Sequence, residues 1–468
     1  MSTPYPGWPG TAWPPSLWRE GAHAWNFPPP VSDTRADVVI VGAGFTGLWT
    51  AHFLTSIDAS LSVTVIDAMQ PGYGASGRNG GWCSALMPMS LRAVSEQYGR
   101  DKAVALQSHL NDTVEDIGSF VRTHRIECGW HHGGTLTVAT NEAQLRRARA
   151  SVAEYREFGF DEGDACVLDV EQTRQRIHTP HVLGSMFSPH CAAVDPARLV
   201  DGIVGALVER GVTIHGHTKA VAFSPEAIEA ATPRGTVRIA ARWKVRATEG
   251  FTASLAGHRR SLAPIHSYMV ATEPLGPDVW SELGWANRET FADGRHVVVY
   301  AQRTDDDRIA FGGRGAPYAF GSRVGPAFDG NPRIHDRIIA TMHDTFPAIR
   351  GAAITHRWGG ALGVPRDWFT GVRVDTEKGM ASAGGYVGDG VAFSHLAAKS
   401  LAHSMLDTGD QCTSLPIVGH VSPNWEPEPF RWLGINGMLR LAAVTDALEH
   451  RGSRWAGTTG AVLDRFVG

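Results

Sequence analysis

The chain has 468 residues, about two to four domains' worth of polypeptide, which excludes a single small binding module. Lys and Arg total 43 against 47 Asp and Glu, and the resulting charge of −4 has the wrong sign for a nucleic-acid wrapper or a polybasic membrane anchor. With 43% hydrophobic and 19% charged residues it can bury a large core, and no apolar run approaches the roughly 20 residues needed to span a bilayer.

Residues 1–36 carry Trp8, Trp13, Trp18 and Trp25 among closely spaced prolines. Proline at that density forbids a helix, and indoles are costly to leave in water, so an extended arm lying against the protein body is expected. Val38 to Val41 then form a short apolar run suited to a strand buried on both faces. Gly42, Gly44 and Gly47 spell GxGxxG at the start of a helical pattern. Val63 to Ile66 read as a second strand, and Asp67 falls 20 positions after Gly47. This is the dinucleotide-binding fingerprint: glycines for the tight turn, backbone approach and helix packing, a helix N-terminus for the pyrophosphate, and an acid for the ribose. NAD and FAD both satisfy it.

Further along, Asp195 caps and Pro196 starts a helix that Gly211 stops, followed by strand-like residues 212–214 and 243–248. Runs at 135–138, 296–300 and 308–311, separated by polar turns, suggest a second, mainly antiparallel domain inserted into the first. Gly384 to Gly390 make another glycine-rich turn opening a helix over 391–406. The expected organisation is an arm (1–36), a discontinuous Rossmann-type domain (37–95, 191–262, 346–408), a β-rich substrate domain (96–190, 263–345) and a C-terminal extension (409–468), an α/β plus β-rich fold. The five cysteines, Cys83, Cys128, Cys166, Cys191 and Cys412, are scattered and never spaced as CxxC. They suggest reduced thiols, and with no leader-like N-terminus they suggest a cytoplasmic location.

The fingerprint, the loop from Gly74 to Gly81 (GASGRNGG), the helix start Val194 to Arg198 and the turn Gly384 to Gly390 resemble the glycine and D-amino-acid oxidase family of flavoproteins. Within it, that loop and the stretch Pro264 to Leu275 are most similar to gamma-glutamylputrescine oxidases. The resemblance implies FAD. Gly42, Gly44, Phe45, Thr46, Gly47, Asp67 and Ala68 would meet the ADP half. Ala75, Ser76, Gly77, Arg78, Asn79, Gly80 and Gly81 would flank the isoalloxazine from one side, and Gly385, Tyr386, Gly388, Asp389, Gly390 and Val391 from the other. Relatives that attach the flavin covalently use a His in the first loop or a Cys near the position of Trp358 to Gly360, and this chain has neither, so noncovalent FAD is expected. Sarcosine oxidases place a Lys near the flavin where this chain has Ala310, and many relatives carry a His where it has Asp389.

The resemblance further implies hydride transfer from the carbon bearing an amine nitrogen to flavin N5, then hydrolysis of the imine, with oxygen or another electron acceptor as partner. An aromatic pocket would favour the neutral amine by penalising the ammonium form. Candidates are Trp82, Tyr268, Tyr300 and Trp358, with Arg314 as an anchor for a substrate carboxylate and His266 as a weaker proton-shuttle candidate. Adjacent His131 and His132 would face opposite sides of a strand, and no metal site is expected. Oxidation of a 2-hydroxy acid and a non-catalytic flavin-binding subunit are the alternatives.

Overall fold

In the computed structural model, which describes residues 15–23, 25–313, 315, 317–453 and 455–467, the run through Ile40 becomes the strand Thr34–Val41, with its last four residues buried as a central parallel strand requires. It pairs in parallel with Val63–Ile66, Ile40 lying opposite Val65, and with Gly235–Arg246, Ile40 lying opposite Val245. Thr213–His215 and Met380–Gly384 extend the parallel sheet on either side, and Gly371–Asp375 adds an antiparallel edge. The helices Phe45–Ile57, Gly390–Leu406 and Arg100–Thr123 bury one shared core against this sheet. Trp49 is at its centre, fully buried, with its ring centroid 4.8 Å from both Phe120 and His395. The helix Pro196–Glu209 forms as its sequence dictates: the Asp195 carboxylate accepts from the Ala197 and Arg198 amides, and Gly211, at φ 81°, follows its end.

The second sheet also has eight strands, in the spatial order Ile354–Val364, Ala263–Thr272, Ile309–Gly313, Val299–Arg303, Thr290–Asp293, Thr135–Ala139, Gly184–Ser188 and Cys166–Leu168. Every pairing is antiparallel except that of Thr290–Asp293 with Thr135–Ala139. Helices Pro277–Leu283 and Pro332–Thr345 bury its far face.

Two expected domain boundaries move. Arg100–Thr123 was assigned to the substrate domain, but Leu106, Leu110, Val114, Ile117 and Val121, spaced three to four apart, pack it into the core of the first sheet. Ile354–Val364 was assigned to the first domain, but it hydrogen-bonds along Ala263–Thr272 as the edge of the second sheet. The strand expected at 296–300 starts only at Val299, because the His296 and Val297 amides donate to Asp446 of a C-terminal helix instead.

Trp18 is buried at 3% exposure, as expected of an arm lying on the body, and Trp25 stacks on Phe27. Trp8 and Trp13 lie outside the described residues. The C-terminal extension forms the helices Phe430–His450 and Ala456–Val467. Just before them, the Glu428 carboxylate accepts from the Tyr318 hydroxyl (2.8 Å) and the Gly321 amide (2.9 Å), fastening the loop that follows Ile309–Gly313. Among the described residues, no helix is long and apolar enough to cross a membrane.

Candidate functional site

A cavity of about 660 Å³ opens at the carboxyl ends of Thr34–Val41 and Val63–Ile66, the edge at which open α/β sheets bind ligands. The first glycine turn contributes Gly42, Gly44, Phe45 and Thr46 to its wall, followed by Asp67 and Ala68. Gly42 adopts φ 114°, and a Cβ there would sit 2.2 Å from the Ala247 carbonyl oxygen. Gly47 does not line the cavity. Its place is structural, since a Cβ there would lie 1.9 Å from the Gly42 carbonyl oxygen. Gly44 caps the helix without a side chain, and the Ser76 hydroxyl accepts from the Phe45 amide at 2.8 Å.

Asp67 holds the turn in shape. Its carboxylate accepts from the Ala43 amide through Oδ2 and from the Met69 amide through Oδ1, each at 2.8 Å. Burial pushes its pKa up, and these two hydrogen bonds oppose the shift. Each carboxylate oxygen retains a further acceptor site for a ligand hydroxyl.

Across the cavity, Tyr386, Gly388, Gly390 and Val391 form the wall opposite Ala75, Ser76 and Asn79. Tyr386 joins the two glycine turns through its hydroxyl, 2.9 Å from Thr46 Oγ1. The same turn is gripped by Glu249, a residue that the sequence analysis does not single out. Its carboxylate accepts from the Gly385 amide at 2.9 Å, with a longer contact of 3.4 Å from that of Tyr386, and its own backbone is held at φ 38°. A Cβ at Gly363 or Gly384 would come within 2.9 or 2.7 Å of its oxygens. Burial pushes the Glu249 carboxyl up to about 7, against the opposing pull of those amides and Arg246. One signal was available in the sequence: Glu249 sits between the strand-like run 243–248 and Gly250, the kind of strand-end turn where α/β folds place binding residues.

A family model described as DAO, FAD dependent oxidoreductase, matches residues 37–404. The chain belongs to this family. The FAD dependent oxidoreductase is 29% identical over 388 residues to the probable oxidoreductase OrdL of Rhizobium meliloti, covering 81% of this chain and 85% of that protein. It is 27% identical over 390 residues to the gamma-glutamylputrescine oxidoreductase of Escherichia coli, covering 82% and 87%. Its fold matches the crystal structure of glycine oxidase from Geobacillus kaustophilus with a TM-score of 0.66 at 18% identity, over 83% of this chain and 100% of that one.

The residues present fit FAD: glycines let the backbone approach, a helix start whose N-cap Gly44 brings no side chain of its own lines the cavity, and a carboxylate with spare acceptor sites stands beside it. Several of the expected contact residues of the FAD dependent oxidoreductase instead build the wall from behind. The Arg78 guanidinium donates to Asp329 Oδ2 (2.8 Å) and to the Gly359 carbonyl (3.0 Å), a buried carboxylate and carbonyl that satisfy its charge. Gly77 packs on the Gly72 carbonyl, Gly80 under the Tyr300 ring, and Gly81, at φ 68°, against Gln302. Gly385, at φ 88°, serves Glu249, and Asp389 is the N-cap residue of the final family helix.

Of the substrate candidates, Trp82 and Tyr300 meet edge to face at 6.1 Å, and the Tyr300 hydroxyl lies 2.9 Å from Ser267 Oγ. Trp358 is buried, and its indole donates to the Arg78 carbonyl at 3.0 Å. Tyr268 is not brought to this group. It alternates to the other face of its strand, packs against His335 and donates to the Phe328 carbonyl. His266 shares that face, and burial lowers its pKa. Arg314 lies outside the described residues.

Proposed function

We propose that the protein oxidises a primary or secondary amine, or an amino acid, at the carbon bearing nitrogen, using noncovalently held FAD. The observation that carries this reading is the cavity walled by two glycine turns with Asp67 at one end, in a chain of this family similar to a protein named for gamma-glutamylputrescine. The amides at the start of Phe45–Ile57 would receive the pyrophosphate and Asp67 the adenosine ribose. FAD would accept the hydride, leaving an imine for water to hydrolyse. Trp82 and Tyr300 do not line this cavity but meet each other edge to face, and an amine held near that pair would be kept neutral where burial penalises the ammonium form.

Noncovalent attachment is supported by the absence of His from residues 74–84 and of Cys from 358–360. Cys83, the nearby thiol, is fully buried, and burial pushes its pKa well up, away from the reactive thiolate. Ala310, where sarcosine oxidases carry Lys, is sealed beneath Trp18 and Trp358, so an acceptor other than oxygen is expected to reoxidise the flavin faster. The test is anaerobic bleaching of the flavin by a panel of amines, polyamines and amino acids. At least one amine should bleach it, faster as pH rises and the ammonium loses its proton. Bleaching by 2-hydroxy acids alone would favour that substrate class, and no bleaching by any of them would favour a non-catalytic subunit.

A further inference from the structure

Four consecutive carbonyls of the loop beside the cavity are each met by a side-chain donor from outside the loop. Trp358 Nε1 donates to Arg78 (3.0 Å), Trp18 Nε1 to Asn79 (2.8 Å), and Gln302 Nε2 to both Gly80 (2.8 Å) and Gly81 (3.0 Å). Trp358 and Gln302 belong to the second sheet. Trp18 comes from the N-terminal segment, ahead of the family-matched residues 37–404.

This segment is seated. Ser16 Oγ accepts from the Trp18 amide, the His23 amide donates to Asp201 at 2.6 Å, and Glu20 meets His356 at 2.9 Å. The Trp18 ring meets that of Trp358 edge to face at 6.2 Å, in a cluster with Leu17, Met269, Ala271 and Ala310. Residues 78–81 form no helix or strand; the Asn79 side chain donates to the Ala75 and Ser76 carbonyls and accepts from the Gly81 amide, and the Val194 amide also donates to the Gly81 carbonyl. None of these bonds meets the Asn79 carbonyl, whose donor is Trp18. An unmet buried carbonyl is costly, so each donor favours one loop geometry over its alternatives.

We propose that the N-terminal segment is a working part of the flavin site. Trp18 is a positioning residue that fixes the Asn79 carbonyl, and with it the face that the loop presents to the ring. The inference rests on the reading that FAD occupies the cavity, and it extends that site beyond the family-matched span.

The test uses the full chain with two substitutions. Trp18→Phe keeps an aromatic ring in the cluster and removes the donor along with part of the indole's volume, and Leu17→Ala controls for lost packing by weakening the same cluster without removing the donor. FAD is titrated into each apo-protein, and amide exchange is followed at residues 78–82. Trp18→Phe should weaken FAD binding about fivefold or more and speed exchange across the loop, as expected for one lost part-buried hydrogen bond. Leu17→Ala should lower the melting temperature and do neither. Wild-type affinity and exchange in Trp18→Phe would overturn the proposal, as would Leu17→Ala reproducing both effects. If the Phe variant does not fold, benzothienylalanine at position 18, with sulfur in place of the N–H, makes the same comparison. A wild-type chain that binds no FAD would refute the cofactor reading instead, so the two failures are distinct.

Discussion

Replacing Asp67 by Ala separates what this carboxylate does for the fold from what it does for the cofactor. The Ala43 and Met69 amides, each 2.8 Å from it, would lose their acceptor. Such losses cost about 1–3 kcal/mol apiece, so the apo-protein should unfold at lower urea. FAD would in addition lose a ribose hydroxyl bond to a charged acceptor, worth about 1.5–3 kcal/mol, or roughly ten- to hundredfold in affinity. Quenching of flavin fluorescence during titration of the apo-protein measures that loss. FMN carries the same ring but no adenosine ribose, so it provides the control. The reasoning requires weaker FAD binding and unchanged FMN binding. Equal losses for the two flavins would show that Asp67 acts only by shaping the turn, and unchanged FAD affinity would refute the fingerprint assignment.

Glu249 predicts a pH dependence. Its carboxyl is raised from 4.5 to about 7 in the fold, so the apo-protein should lose stability as pH rises through that window and lose no more above it. At about 1.4 kcal/mol per pH unit, discounted because one side of the carboxyl faces the cavity, the loss is roughly 2 kcal/mol. Glu249→Gln should flatten this part of the urea-stability profile, leaving the contributions of Asp195 and Asp293, whose carboxyls burial raises to about 7 and about 6. Parallel profiles for variant and wild type would count against the assignment. Separately, acid precipitation should leave the yellow colour in the supernatant as FAD, and colour retained in the pellet would show covalent attachment.

The parts of the fold legible in the sequence are those governed by local chemistry. The strand through Ile40, the turn at Gly42 and the capped helix at Asp195 each carry their instructions within a few residues. The rest depended on long-range partners. Arg100–Thr123 is amphipathic with respect to either domain, and only packing against Trp49 decides between them. Glu249 meets Gly385 across 136 residues of chain, a pairing that no local pattern encodes. The Arg78 side chain pairs with Asp329, 251 residues away, a partner that its glycine-rich neighbours give no hint of.

That last pair bears on how the two sheets can move. The guanidinium of Arg78 and the carboxylate of Asp329, 2% and 9% exposed, join the loop of one sheet to the margin of the other. Opening the two halves like a book would tear apart a buried ion pair, and leaving such a charge alone costs about 3–5 kcal/mol. The pair therefore resists relative motion of the two sheets beside the cavity. The segment leading to Asp329 is held at two points: Tyr318 and Gly321, tied to Glu428, on one side, and Asp329 on the other. Between them Val324, Gly325 and Pro326 line the cavity, so the same ion pair that joins the two sheets also anchors part of the cavity wall.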